Sequence, residues 1–157
     1  MKHDAAGNLL VLGEVLAVAY DGLSVAPGRS VVAPGSIVAW DDCCDGQLAV
    51  RVIGATPVYQ SGGAGCLLGY DLQLGVSIIR CVSTVNDSGQ APSPTQITAD
   101  GHATARDLRE LARALECWRP EDSGVMSHRL GQWTPRGPDG GCAGGEWTLT
   151  LRTDAAL

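Results

Sequence analysis

The stretch from His128 to Arg152, HRLGQWTPRGPDGGCAGGEWTLTLR, restricts the fold more than any other part of the chain. Near its end Trp147, Leu149 and Leu151 alternate with Glu146, Thr148, Thr150 and Arg152, the period of a strand with one buried and one wet face. The residues up to Trp133 read as a partner strand. Between the arms Pro135, Gly137, Pro138, Gly140, Gly141, Gly144 and Gly145 supply fixed φ or access to φ > 0. The spacing therefore predicts a tight, irregular excursion in place of a two-residue turn. Such a loop can press against a neighbouring backbone, which makes Arg136, Asp139, Gly140, Gly141, Gly144 and Gly145 the expected assembly contact.

A strand-rich fold also suits the composition. The chain has 157 residues, no Phe and 21 Gly, so its core must come from Val, Leu, Ile, Ala and the four Trp. This length holds one domain, residues 1–157, with little room for a second core. The formal net charge is −6, with a single Lys and ten scattered Arg. That balance argues against a protein that grips phosphates through clustered cations. It suits ordinary solubility, and also a conduit that DNA slides past. No stretch has the ~18 apolar residues of a membrane span. The positive start before Leu9 to Tyr20 is weak for an export signal, since Lys2 is followed at once by His3 and Asp4, so assembly in the cytoplasm is expected.

Along the chain, Leu9, Leu12, Leu16 and Ala19 recur at helical spacing beside Val11, Val15 and Val18. The spacing predicts a short helix from Asn8 to Tyr20, with a buried strand as the competing reading. Pro27, Gly28, Pro34 and Gly35 bound a loop with at most a short edge strand, Ser30 to Ala33. Ser36 to Asp41 and Gln47 to Thr56 read as a hairpin around Asp45-Gly46. Gln60 to Gly69 is a Gly-rich connector without the Gly-Lys-Ser/Thr ending of a phosphate loop. Leu72, Leu74, Val76 and Ile78 give the cleanest alternation and are expected at the sheet centre. Ser93-Pro94-Thr95-Gln96 carries a capping box with Pro at the first helical position. The helix it opens should bury Ile97, Gly101, Ala105, Leu108, Leu111, Ala112 and Leu115, expose Arg106, Asp107, Arg109, Glu110 and Arg113, and end before Pro120. The sum is an α+β fold: a single mixed or antiparallel sheet of about five strands, one long helix across a face and a short N-terminal helix.

Three segments carry a family resemblance: TPRGPDGGCAGGEWTLTLR, Val38-Ala39-Trp40-Asp41-Asp42-Cys43-Cys44, and Gln47-Leu48-Ala49-Val50-Arg51-Val52. Together they resemble a family of small virion proteins of the head-to-tail region in tailed phages of actinobacteria, and the order of elements is similar to that of the tail terminators of long-tailed phages. The resemblance spans about residue 30 to Arg152 and rests on structural residues. It implies a homohexameric ring in the virion tail or neck, bound to the major tail tube protein on one side and the connector or stopper protein on the other. DNA would pass through without specific binding, and no cofactor would be needed. The alternative within the same region is the adjacent connector or stopper ring.

Two other classes compete with that reading. Cys43, Cys44, Cys66 and Cys142 with His128 would make a metal-binding accessory protein if they converged, but there is no Cys-x-x-Cys or His-x-x-x-His pair, and neighbouring cysteines on a strand point apart. The same four cysteines are the candidates for disulfides formed after the virion leaves the reducing cytosol. A hydrolase would need His3, His102 or His128 beside a nucleophile, and no Gly-x-Ser-x-Gly elbow exists. The expectation is therefore no catalytic and no metal residue.

Overall fold

The computed structural model describes residues 6–35, 43–61, 65–120 and 124–154. Its elements run α1 (Ala6–Gly22), β1 (Arg29–Val32), β2 (Gln47–Tyr59), β3 (Leu67–Cys81), α2 (Pro94–Cys117), β4 (Val125–Asp139) and β5 (Cys142–Asp154). One five-stranded sheet has the order β1-β2-β3-β5-β4. Only β1 pairs in parallel, beside the first four residues of β2; the other pairs are antiparallel. The α+β class, the single mixed sheet and both helices agree with the sequence reading. So does the placing of Leu72 to Ile78 in the central strand.

Both helices lie on one face of the sheet. Helix α1 packs on β1 and β2, α2 packs on β5 and β4, and the helices touch each other. The sheet contributes Leu48, Val50, Leu74, Val76, Ile78, Leu149 and Leu151 to the core between the layers, every second residue of each strand, as the pleat requires. Trp147 and Trp133 pack at the edge of that core, their ring centroids 5.6 Å apart. Trp147 Nε1 donates to the Leu108 carbonyl at 2.9 Å, which ties β5 to α2. Trp118, just past α2, donates to Glu14 of α1 at 3.0 Å and joins the two helices.

The helix starts as its sequence predicts. The Ser93 side chain accepts from the Gln96 amide, and the Gln96 side chain accepts from the Ser93 amide. The buried stripe, however, is rotated from the expected one. Asp107, Leu111 and Leu115 are the buried residues of α2, while Ile97 is 57% exposed, and Gly101 and Ala105 also face outward. Asp107 was expected outside; it is 3% exposed because Arg80 of β3 reaches it at 2.6 Å. A second guanidinium nitrogen of Arg80 donates to the Val25 carbonyl at 2.7 Å, so one cation fastens strand, helix and the α1–β1 loop. The segment read as a short helix with a buried strand as the competing reading is a helix; Val11, Val15 and Ala19 are fully buried, with Leu12, Leu16 and Val18 half-buried beside them.

The expected hairpin of Ser36 to Asp41 with Gln47 to Thr56 is corrected in part. Its first arm, with Trp40, lies outside the described residues. The second arm, within β2, pairs instead with β1 on one edge and β3 on the other. The Asp45-Gly46 turn does form: the Gly46 amide donates to the Cys43 carbonyl at 2.9 Å, and Gly46 has φ +84°. It ends a parallel crossover from β1 to β2. The true long hairpin is β2–β3, whose connection holds the Gly-rich residues before Leu67.

Candidate functional site

The β4–β5 hairpin corrects the reading of the Gly-rich stretch. Both strands continue through it, and Gly140-Gly141 forms a two-residue turn with φ +54° and +80°, the positive pair that matches the twist of a hairpin. The one extra residue on the β4 side, between Arg136 and Asp139, is absorbed by a bulge. The glycines serve the hairpin's own turn and packing, not the irregular excursion that the spacing predicts. Gly144 and Gly145 are buried in β5. A Cβ at Gly144 would lie 1.9 Å from the Ile78 carbonyl oxygen, and one at Gly145 would lie 2.1 Å from the Trp133 ring. These two glycines thus make room for the chain's own β3 and Trp133, not for a neighbour. Arg136 also turns inward, to Glu146 at 3.1 Å. Of the six residues expected at an assembly contact, only Asp139 and Gly140 are exposed, with Gly141 half-buried beside them.

That tip borders an open groove of about 650 Å³. Its walls are the tip itself, the overhanging first turns of α2 and the β3–α2 connection. Val85 and Ile97 line it and are 60% and 57% exposed. Asp100 closes its floor by accepting from the Ser83 amide at 2.8 Å. The rest of the lining is mixed: Val82, Pro92 and Ala143 add apolar surface, while Ser83, Thr84 and Thr104 add hydroxyls. Replacing Gly140-Gly141 by Ala-Ala should cost about 1–2 kcal/mol per residue, the penalty of L residues in the left-handed region. A thermal melt should show that loss, whereas Gly140→Asn, which tolerates positive φ, should be close to neutral.

On the sheet face away from the helices, a buried ion cluster went unnoticed in the sequence. Arg51 of β2 grips Glu146 of β5 with two hydrogen bonds, 2.9 and 2.7 Å, across the intervening strand β3. Arg51 and Glu146 are 7% and 6% exposed. Gly75 makes the bridge possible, since a Cβ there would lie 2.7 Å from the Glu146 carboxyl. Burial alone would push that carboxyl up, but the Arg51 and Arg136 guanidiniums outweigh it and hold it below its ordinary value. The alternation of β5 predicts Glu146 on a wet face, and the ion pair with Arg51 buries it there. The signal that could have found it is the glycine opposite two complementary charges on alternating strands.

Four of the six cysteines gather at one end of the sheet. Cys43 is bonded to Cys142, and Cys44 to Cys81. Two of the expected candidates thus pair with each other, Cys44 pairs with a cysteine that was not singled out, and Cys66 is free and exposed. Cys66 belongs to the β2–β3 connection, where its carbonyl accepts from the Gln60 amide, at the far end of β3 from Cys81. Cys117 is also free and exposed. His128 packs on Trp118, ring centroids 5.3 Å apart. With four sulfurs bonded in pairs, no group of three or more His, Cys, Asp or Glu among the described residues is arranged to hold a metal ion. Among those residues, too, no helix is long and apolar enough to cross a membrane. No protein-family model matches this chain, and no curated protein is similar to it.

Proposed function

We propose that this protein is a structural virion component that closes into a ring at the head-proximal end of a phage tail, where it terminates the tube and offers a docking face to the head. The observation that carries the reading is the element order: a helix, three strands, a long helix and two strands on one open sheet, the order expected of the tail-terminator fold from the sequence resemblance. A closed ring also needs two different surfaces on each copy. The two edges of this sheet differ. On one side β1 covers only Gln47 to Val50, and among the described residues nothing pairs with the outer edge of β2 beyond Val50. On the other, β4 is interrupted by three register shifts and by Pro135 and Pro138, features that blunt an edge against indiscriminate pairing.

The mechanism in this reading is geometric. A ring of the tube's diameter caps the last tube layer, and the net charge of −6 gives passing DNA no net attraction to the chain. Electron microscopy of the purified protein should show rings of uniform diameter. A phage lacking the protein should yield separate heads and tails, with tails of abnormal length. Tails of normal length would instead assign the protein to the adjacent connector or stopper ring. Intact, infectious virions made without it would remove it from the neck altogether.

A further inference from the structure

We propose that Cys43, Cys44, Cys81 and Cys142 form a four-thiolate site for one zinc ion whenever their two disulfides are open. Three chain segments converge here. Cys81 and Cys142 face each other in register at the ends of β3 and β5. Cys43 and Cys44 come from the turn before β2, which the hydrogen bond from the Gly46 amide to the Cys43 carbonyl closes at 2.9 Å. Neighbouring cysteines on a strand would point apart, but these two lie in a turn, and both reach the same strand pair.

The spacing fits the ion. The Cα of Cys43 is 6.0 Å from that of Cys142, and the Cα of Cys44 is 4.4 Å from that of Cys81. Across the two bridges, the Cys43 and Cys81 sulfurs are 3.9 Å apart. Tetrahedral zinc with Zn–S bonds of about 2.3 Å sets its sulfurs about 3.8 Å apart. One edge of the required tetrahedron is therefore already at length, and opening the bridges lets the bonded pairs relax toward the same distance. Burial suits a structural site as well. Cys43 and Cys142 are buried with Ile79 in a small cluster of their own, while Cys44 and Cys81 are exposed and leave the ion a path in. Four thiolates select a soft cation over magnesium or calcium. Because sulfurs bonded in pairs present no thiolate, the bridged and the metal-bound states exclude each other.

The test uses the full chain with Cys66→Ser and Cys117→Ser, so that only the cluster cysteines remain. Reduced with a phosphine in the absence of air and titrated with Co²⁺, this protein should take up one ion per chain and develop the visible absorption of tetrahedral cobalt thiolate, which zinc then abolishes. The air-oxidised form should take up none. Adding Cys81→Ser should weaken binding by at least about tenfold, the minimum expected where even an outer-shell partner matters to that degree. Circular dichroism of the reduced chain is recorded in parallel, with and without zinc, and zinc should raise its melting temperature. The proposal is overturned if the folded, reduced chain binds no cobalt, if it binds half an equivalent shared between two chains, or if a reduced chain that has unfolded is not restored by zinc.

Discussion

Leu111→Asp should leave the chain unfolded at room temperature, while Arg109→Asp, two positions earlier on α2, should change its melting temperature by only a few degrees. Leu111 has no exposed surface and belongs to the core between the helices and the sheet. Truncating such a leucine to alanine already costs ~2–5 kcal/mol. Aspartate adds an unpaired charge in an apolar site, and the sum reaches the ~5–15 kcal/mol that stabilises a whole domain. Arg109 is exposed, and surface substitutions typically stay within about 0.5 kcal/mol. Circular dichroism melts of the two variants decide the matter; equal stabilities would mean that the buried stripe of α2 is misplaced.

That stripe also shows where sequence legibility ends. The capping box and Pro120 bound α2 locally, and local chemistry alone predicts its start and stop. Which side of the helix is buried depends on what lies opposite. At Leu111 and Leu115 the apolar periodicity agrees with the core. One turn before Leu111 the partner is Arg80 at the end of β3, so Asp107 is buried, and about four turns before it Ile97 is left in the open groove. The central strand was legible because both its neighbours demand the same alternation. The β1–β2 pairing was not, since a four-residue parallel edge has no turn signal to mark it.

The Gly-rich hairpin was misread for a related reason. Seven Gly or Pro residues in a short span look alike in sequence, yet they serve separate purposes in space. Gly140 and Gly141 supply the positive φ of the turn, whereas Gly144 and Gly145 vacate volume for Ile78 and Trp133. Only the first purpose is local. Residues that yield space to partners distant in sequence, like Gly75 beneath Arg51 and Glu146, become readable once strand order is known. The disulfides follow the same logic: Cys81 gains its meaning from lying in register with Cys142.

The ion cluster that Gly75 accommodates gives the second large effect. Glu146→Ala should cost ~3–5 kcal/mol, the usual result of removing one partner of a buried pair. Arg51 would lose both of its hydrogen bonds to the carboxylate, and Arg136 would lose its own at 3.1 Å. The double variant Arg51→Met with Glu146→Leu should recover much of that loss, because it removes the stranded charge along with its partner. Gly75→Ala should mimic part of the effect without touching a charge, since its Cβ would displace the carboxyl. The cluster should also register in acid. The folded-state value of Glu146 lies below its ordinary 4.5, so the unfolded chain takes up this proton first as the pH falls. Its contribution is complete above about 4.5 and disappears as the pH drops through the lowered folded value. Denaturant melts across that range should therefore show a smaller acid dependence for Glu146→Gln than for the parent. If both proteins lose stability in parallel below pH 4.5, the carboxylate is not held by its two arginines.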